Sequence, residues 1–165
     1  MASQNLSAEL RLQRLEDIEA IRQLKARYFH ACDAKDVDAI RTCFSAGKAH
    51  IDYGAIGQFS AREDFLAVYQ AMACHPTIVD MHHGQNAQIQ WDSPEQASAI
   101  WDLFFYQINT ETGVMTQLAG HYRDRFAKED GRWVMVETVF KITSCLVSQN
   151  EGSAVRLLQA GGAPG

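Results

Sequence analysis

The chain has 165 residues, of which 47% are hydrophobic and 21% charged, and this favours one globular domain over residues 1–165. Its formal net charge is −5 and it has no basic run, which argues against a nucleic-acid partner or an anionic membrane surface. It contains no apolar run of about 18 residues and no signal-peptide pattern. The 4 cysteines are scattered, without zinc spacing, and indicate free thiols of a cytoplasmic protein.

The N-terminal part predicts a long amphipathic helix over residues 8–32. Apolar side chains recur there at steps of three and four residues, which is the period of one helix face. That predicted face consists of Leu12, Leu15, Ile18, Ile21, Leu24, Tyr28 and Cys32. We therefore expect this face to pack on the rest of the domain.

Two shorter helices are predicted after the first. Asp36 can cap a helix from Val37 to Phe44. Residues 48–53 alternate like a strand, and Ser60-Ala61-Arg62-Glu63 has the pattern of a capping box that opens a third helix. That helix is expected to end near residues 74–76.

The second half of the chain predicts an antiparallel sheet. Turn residues separate four apolar, aromatic-rich segments, near residues 78–91, 96–109, 114–127 and 132–148. We expect a highly curved sheet with the helices on its concave side, an α+β fold. Residues 150–165 are small, polar and Gly-rich, and predict a loose C-terminal tail. Its apolar residues, Val155, Leu157 and Leu158, could alternatively cover a pocket or a neighbouring subunit.

Several segments resemble one known superfamily. They are the Tyr-x-x-x-x-Asp spacing from Tyr28 to Asp33, the run from Cys32 to Arg41 with Ile51-Asp52-Tyr53, Met81-His82-His83-Gly84-Gln85-Asn86, and Asp130-Gly131-Arg132-Trp133. Together they are similar to the NTF2-like superfamily, in its SnoaL-like and scytalone dehydratase-like branch. That branch also includes bile-acid 7α-dehydratase, hexachlorocyclohexane dehydrochlorinase and polyketide cyclases.

The resemblance covers residues 10–148 and implies a cone-shaped barrel in which three N-terminal helices pack on a curved, mostly antiparallel sheet. It also implies a His–Asp dyad. Two departures from scytalone dehydratase matter: Cys32 occupies the position of a tyrosine, and Gly120 and Tyr122 occupy the positions of a serine and an asparagine. The scaffold and the dyad are therefore expected to transfer to this chain, whereas the substrate is not.

His82 is the candidate general base and Asp33 its partner. A neutral imidazole can take up a proton near neutral pH, and an aspartate on its other nitrogen fixes the tautomer and stabilises the imidazolium. The alternative is a structural pair, in which Asp33 caps backbone N–H groups and His82 bonds a carbonyl. His83 points to the opposite face of the strand, so only one of the two histidines can line a cavity. The resemblance favours His82, and His83 is kept as a candidate substrate-binding residue.

Three tyrosines are candidates to donate a hydrogen bond to a substrate oxygen: Tyr53, Tyr28 and Tyr106. A tyrosine hydroxyl stabilises developing negative charge without carrying a charge itself. Tyr53 is the first choice and a candidate catalytic residue, whereas Tyr28 and Tyr106 are candidate substrate-binding residues. The alternative is that at least one of them is a core aromatic residue.

Polar residues on the predicted strands add two further candidates for substrate binding, Asp102 and Tyr122. Asp102 could be a second acid with a pKa raised by burial, or it could pair with Arg123 or Arg125 across the sheet. Tyr122 and His121 face opposite sides of one strand, so at most one of them enters a pocket.

These observations predict a cofactor-independent lyase that binds a hydrophobic, ring-containing small molecule. The reaction would be a dehydration or a related elimination, and deformylation of a lignin-derived phenolic diaryl compound would suit the same site. An isomerase or cyclase of a polyketide-like or steroid-like substrate, and a non-catalytic binding or scaffold protein, remain as alternatives. No Gly-rich phosphate loop is present, and adjacent strand histidines do not converge, so we expect neither cofactor nor metal.

A homo-oligomer, either a trimer or a dimer, is also expected. Residues 96–109 and 132–142 are apolar on both faces of their strands, whereas a sheet with one face in water alternates cleanly. The outer face of the sheet is therefore the predicted contact between subunits.

Overall fold

A computed structural model describes residues 7–162 and confirms the α+β fold. The helices are α1 (Ala8–Ala34), α2 (Val37–Cys43) and α3 (Arg62–Ala73), with a short 3-10 turn at Gly54–Ile56. The strands are β1 (His50–Asp52), β2 (Gln58–Phe59), β3 (Ile78–Ser93), β4 (Gln96–Asn109), β5 (Val114–Glu129), β6 (Arg132–Glu151) and β7 (Ala154–Gly161). None of these helices is long and apolar enough to cross a membrane.

The strands form one curved sheet that is open rather than closed into a barrel. Its order is β2-β1-β6-β5-β4-β3, and β7 pairs with the remaining length of β6. All neighbouring strands are antiparallel except β1, which runs parallel to β6. The long strands β3 to β6 therefore supply most of the surface on which the helices pack.

The buried face of α1 differs from the predicted one at its N-terminal end. Leu12 and Leu15 are 57% and 65% exposed, so the prediction that they pack on the domain is wrong. The reason is the length of the sheet. Asp17 already contacts Trp91, which lies two residues before the end of β3, so the first turns of α1 lie beyond the strands.

A buried carboxylate fixes the helix at that point. Asp17 accepts hydrogen bonds from Trp91 Nε1 at 3.0 Å, Trp133 Nε1 at 2.9 Å and Lys128 Nζ at 2.7 Å. Burial raises the pKa of this carboxyl, but the hydrogen bonds from Lys128 and the two tryptophans outweigh it, so the pKa lies below its ordinary value. Asp17 thus joins α1 to three strands through one side chain.

The start of α3 corrects a second prediction. Asp36 caps α2 as expected, since its Oδ1 accepts from the N–H of Ala39 at 2.9 Å. Ser60 does not form the capping box, because α3 begins after Ala61 without a side-chain cap. Glu63, the acidic member of the expected box, instead accepts from Arg41 Nε at 3.1 Å.

The C-terminal residues are not a loose tail in the part of the chain that the structure describes. Ala154–Gly161 form β7, which pairs antiparallel with β6 from Cys145 to Glu151. β6 is 20 residues long and β1 covers only residues 137–139 of that edge, so the remaining backbone N–H and C=O groups are open to another strand. Val155, Leu157 and Leu158 are exposed, and residues 163–165 lie outside the described range.

We predict that Asp17→Ala lowers the free energy of unfolding by about 3 kcal/mol, because the indole N–H groups of Trp91 and Trp133 and the Lys128 ammonium lose their acceptor. Since the pKa of Asp17 is lowered by folding, its stabilising effect is complete above about pH 5 and declines as the pH falls through the folded-state pKa. Chemical denaturation at several pH values measures both effects. Glu16→Ala, an exposed neighbour on α1, is the control and should change stability by less than about 0.5 kcal/mol. Equal effects of the two variants would contradict the role of Asp17.

Candidate active site

A cavity of about 270 Å³ lies between the concave face of the sheet, the helices α1 and α3, and the 3-10 turn. Its wall is mainly aromatic and aliphatic, with a few polar side chains, as is usual for a small-molecule site. It is lined by Tyr28, Cys32, Tyr53, Ile56, Phe65, Tyr69, Met72, Ala73, Ile78, Asp80, His82, Leu103, Phe105, Gln107, Leu118, Tyr122 and Phe140.

The structure brings His82 and Asp33 together at the wall of this cavity. His82 Nδ1 lies 2.6 Å from Asp33 Oδ1, and the backbone N–H of His82 donates to the same carboxylate at 3.1 and 3.2 Å. Because Asp33 holds Nδ1–H, Nε2 is the ring nitrogen that is free to act as a base. Asp33 therefore orients a cavity histidine, and it does so from the last turn of α1.

Packing fixes the plane of the His82 ring. Phe29 stacks on it with ring centroids 5.7 Å apart and an interplanar angle of 12°, and Phe105 lies against it at 4.7 Å. The approach of Phe29 requires the glycine two residues after His82 on β3. A Cβ at Gly84 would lie 2.3 Å from Phe29 Cε2, so any side chain there would displace Phe29 from the imidazole.

Tyr28 and Tyr53 form a second polar group in the same cavity. Their hydroxyls lie 2.7 Å apart, and either can be the donor. Burial raises the pKa of both groups, and that of Tyr122, so all three hydroxyls keep their protons at neutral pH. One of the two hydroxyl protons makes the hydrogen bond between Tyr28 and Tyr53. The proton of the other hydroxyl is therefore free to be donated to an oxygen of a ligand.

Cys32 lines the cavity at the position of a tyrosine in scytalone dehydratase. Burial raises the pKa of its thiol to about 12. The Cys32 side chain is therefore a neutral, weakly polar part of the wall rather than a nucleophile. Tyr69 reaches the same turn of α1, where its hydroxyl donates to the carbonyl of Cys32 at 2.7 Å.

Three of the predicted site residues lie on the outer face of the sheet. Tyr106 donates to Met115 Sδ at 3.4 Å, and His83 is exposed. Asp102 Oδ1 lies 2.7 Å from His121 Nδ1, so it pairs with neither Arg123 nor Arg125. Hydrogen bonds from Asn86 and His121 lower the pKa of Asp102, the opposite of the predicted rise.

Alternation along the strands explains these placements. Leu103 and Phe105 point into the cavity, so Asp102, which precedes Leu103 on β4, and Tyr106, which follows Phe105, point outward. On β5, Tyr122 enters the cavity wall and His121 does not. Within residues 7–162, no three His, Cys, Asp or Glu side chains lie close enough together to hold a metal ion.

Sequence reasoning missed a polar pair on the cavity wall. Asp80 and Gln107 both line it, and Gln107 Nε2 donates to Asp80 Oδ1 at 2.9 Å. The ammonium group of Lys35 bonds the other oxygen of Asp80. A signal was available, because Asp80 and His82 are two residues apart on one strand and must share a face.

A buried ion pair lies directly behind the cavity and was also missed. Lys25 Nζ and Asp124 Oδ2 are 2.8 Å apart, with both side chains 0% exposed. The ammonium group lies 3.7 Å from the ring centroid of Tyr122, and Thr138 Oγ1 donates to Asp124 Oδ1 at 2.7 Å. Desolvation lowers the pKa of Lys25, and Asp124 opposes that shift. The spacing of Lys25 from Ile21 and Tyr28 placed it on the apolar face of the helix.

We predict that Lys25→Met lowers the free energy of unfolding by about 3–5 kcal/mol, because it leaves the Asp124 carboxylate buried without a counter-ion. The double variant Lys25→Met/Asp124→Asn removes that charge, keeps an acceptor for Thr138, and should recover more than half of the loss. Urea unfolding of the two variants measures the coupling between the residues. Arg22→Met, which removes an exposed cation of the same helix, is the control. A double variant as unstable as the single one would show that the charge of Asp124 is not the cause.

The architecture and the cavity define a small α+β domain in which a His–Asp pair faces a mainly apolar cavity. The family model of the SnoaL-like domain matches residues 13–139. This match covers most of the sequence, so the chain belongs to the SnoaL-like family.

Solved structures of several proteins share the fold. A scytalone dehydratase-like protein from Novosphingobium aromaticivorans is 17% identical with a TM-score of 0.74, over 88% of this chain and 95% of that chain. The hexachlorocyclohexane dehydrochlorinase LinA-type3 from Novosphingobium barchaimii is 18% identical with a TM-score of 0.71, over 89% and 93%. A structure of LinA is 18% identical with a TM-score of 0.75, over 87% and 95%. At these identities the comparisons establish the fold.

Proposed function

We propose that this protein is a cofactor-independent lyase in which His82 and Asp33 carry out proton transfer on a hydrophobic ring substrate. The observation that supports it most is the 2.6 Å contact between His82 Nδ1 and Asp33 Oδ1 at the wall of a 270 Å³ cavity. A histidine oriented by a carboxylate is a general base, and an apolar cavity selects a substrate by its rings.

The proposed step begins at His82 Nε2, which takes a proton from a substrate carbon next to an activating group. The electron pair of the broken C–H bond forms the new double bond, and the leaving group departs with its own bonding pair. Asp33 stabilises the imidazolium while it exists, and that imidazolium can return the proton to the leaving group. The Tyr28–Tyr53 hydroxyl pair donates to the activating oxygen of the substrate, where negative charge develops.

The proposed substrate class is phenolic, polycyclic or steroid-like. An ionised phenol can expel a leaving group through its own ring, so the substrate supplies the electronic activation. Loss of water is the first reaction we propose. The second is deformylation of a lignin-derived phenolic diaryl compound: His82 takes the proton of a CH2OH group, that carbon leaves as formaldehyde, and the electron pair of the broken C–C bond enters the quinone methide formed when the phenol expels the leaving group.

The test is a substrate panel of phenolic and steroidal alcohols and hydroxymethyl diaryl phenols. Ultraviolet absorbance detects new conjugation, and mass spectrometry detects loss of water or of a one-carbon fragment. Parallel reactions with EDTA check independence from metal ions. Conversion by the wild type and not by His82→Ala supports the proposal. A product of unchanged mass would identify an isomerase or cyclase, and tight binding without any conversion would identify a binding protein.

We predict that His82→Ala lowers kcat by at least about 100-fold, the usual scale for loss of a general base. His83→Ala is the matched control, since His83 is the adjacent residue on the opposite face of β3, and it should lose less than about threefold. Both are measured on a substrate found in the panel. Greater sensitivity at His83 would contradict the assignment of the base.

We predict that Asp33→Asn keeps the melting temperature within a few degrees and substrate affinity within about threefold, but lowers turnover by at least about 100-fold. An amide still accepts a bond from the His82 backbone N–H, but it stabilises an imidazolium poorly and can hold the wrong tautomer. Asp102→Asn, which changes the exposed His–Asp pair on the outer face, is the control and should leave turnover unchanged. Full activity of Asp33→Asn would reduce Asp33 to a structural role.

We also propose that the protein forms a homo-oligomer, a trimer or a dimer, through the outer face of the sheet. Apolar side chains on that face are exposed in the single chain: Val79, Met81, Ile100, Phe104 and Leu146. An apolar surface of this kind usually marks a contact between proteins.

Light scattering at micromolar concentration should therefore give a mass two or three times that of one chain. Phe104→Arg should shift it towards the monomer, because it places a charge in the contact. Leu15→Arg, at an exposed leucine of α1, should not. A monomeric wild type would contradict the proposal, and dissociation by Leu15→Arg alone would place the contact on the helix.

A further inference from the structure

The pair formed by Asp80 and Gln107 has no part in the proton transfer described above. Asp80 is 9% exposed as a residue and its side chain only 4%, although it carries a carboxylate. Its Oδ1 accepts from Gln107 Nε2 at 2.9 Å, and its Oδ2 bonds the ammonium group of Lys35. Asp80 and Gln107 line the cavity, so their polar atoms belong to its wall.

Strand register fixes where this pair lies relative to His82. Asp80 is directly opposite Gln107, and His82 is opposite Phe105. The two rows are neighbours on the same face, about 7 Å apart along β3. The Asp80–Gln107 row lies towards the start of β3, where Ile78 also lines the cavity.

The tyrosine group lies on the other side of His82. Phe105 of β4 pairs with Leu118 of β5 in the same row as His82. Leu103 lies in the next row on this face, and Trp101 pairs with Tyr122 in the row after that. Tyr122 packs against Tyr53 with ring centroids 6.1 Å apart. The His82 row therefore lies between two polar groups, the tyrosine hydroxyls and the Asp80–Gln107 pair.

The chemistry of the pair selects a hydroxyl group. A carboxylate has about four acceptor positions, and Gln107 has a second amide N–H, so both have capacity beyond their mutual bond. A hydroxyl can donate to Asp80 and accept from Gln107 at once. An anionic group would be repelled by Asp80, and a hydrocarbon group would cover both polar side chains without giving them a partner.

We propose that Asp80 and Gln107 form a second polar subsite, which binds a hydroxyl group at the end of the ligand remote from Tyr28 and Tyr53. The ligand class is then an apolar ring system with an oxygen function at each end. This inference rests on the proposed function for the role of the tyrosine pair, and it adds a specificity-determining contact to the same cavity. Lys35 compensates the charge of Asp80, which keeps the carboxylate in place when no ligand is bound.

The test compares two probes that differ only at one end, 4,4′-dihydroxybiphenyl and 4-hydroxybiphenyl, by isothermal titration calorimetry. The wild type should bind the dihydroxy probe about tenfold more tightly, the effect of one further well-formed hydrogen bond. In Asp80→Leu and in Gln107→Leu, the ratio of the dissociation constant of 4-hydroxybiphenyl to that of 4,4′-dihydroxybiphenyl should fall to about one or two. The affinity for 4-hydroxybiphenyl itself should stay within about threefold of the wild-type value.

Asp102→Leu is the matched control, because it removes a carboxylate from the outer face of the same sheet, and it should keep the tenfold ratio. Asp80→Leu leaves Lys35 without its partner and can unfold the protein, in which case Gln107→Leu decides. A ratio near one in the wild type, or a ratio unchanged in a folded Gln107→Leu, overturns the subsite. Binding can be measured without turnover, so the two proposals can fail separately. A tenfold ratio of the two dissociation constants, in a protein that converts no compound of the substrate panel, would contradict the lyase but support the subsite.

Discussion

The buried pair between Lys25 and Asp124 is the constraint on which the arrangement of this domain depends. Both charged side chains are fully buried and lose their hydration on folding. Their mutual attraction offsets that cost only when the ammonium and the carboxylate are in direct contact. That geometry fixes both the rotation of α1 and its position along β5. The pair restricts α1 to positions that keep the two charges in contact, and Tyr122, whose ring centroid is 3.7 Å from the ammonium group, completes its surroundings.

The same helix is held at two further polar points, and the three are evenly spaced. Asp17, Lys25 and Asp33 are eight residues apart in sequence, and each contacts a different part of the sheet. Eight residues of α-helix advance about 12 Å and turn about 80° beyond two full turns, so the contacts wind around the helix. A helix lying in the concavity of a twisted sheet meets its strands in this way. Once Lys25 is fixed, Asp33 reaches His82 as a consequence.

Periodicity predicted the helices and the long strands because it reports which side of an element is apolar. It placed β4 at residues 96–109, as observed, and it separated His82 from His83 by alternation. It failed where a polar side chain lies on a buried face. Asp17, Lys25 and Asp80 were not identified as buried polar residues, because the partners that stabilise them are distant in sequence.

The opposite error was made at Asp102 and Tyr106. The aromatic neighbours of Asp102 suggested burial, but on a strand the adjacent residue points the other way, so Trp101 being buried places Asp102 outside. The strand β7 was missed for a different reason. Nothing in the composition of residues 150–165 reveals that part of the edge of β6 is unpaired, since that depends on how far β1 extends.

The two departures from scytalone dehydratase have a common physical consequence. At Gly120 a Cβ would lie 2.7 Å from Phe140 Cζ, so the glycine is what allows the Phe140 ring into the cavity wall. Cys32, with a thiol pKa of about 12, is likewise a neutral side chain in place of a tyrosine hydroxyl. Cys32 and Gly120 are thus less polar than the residues of scytalone dehydratase, whereas Tyr122 keeps a hydroxyl in the cavity wall. A cavity of that kind binds the centre of a ligand by burial of apolar surface and orients it through polar groups at its ends.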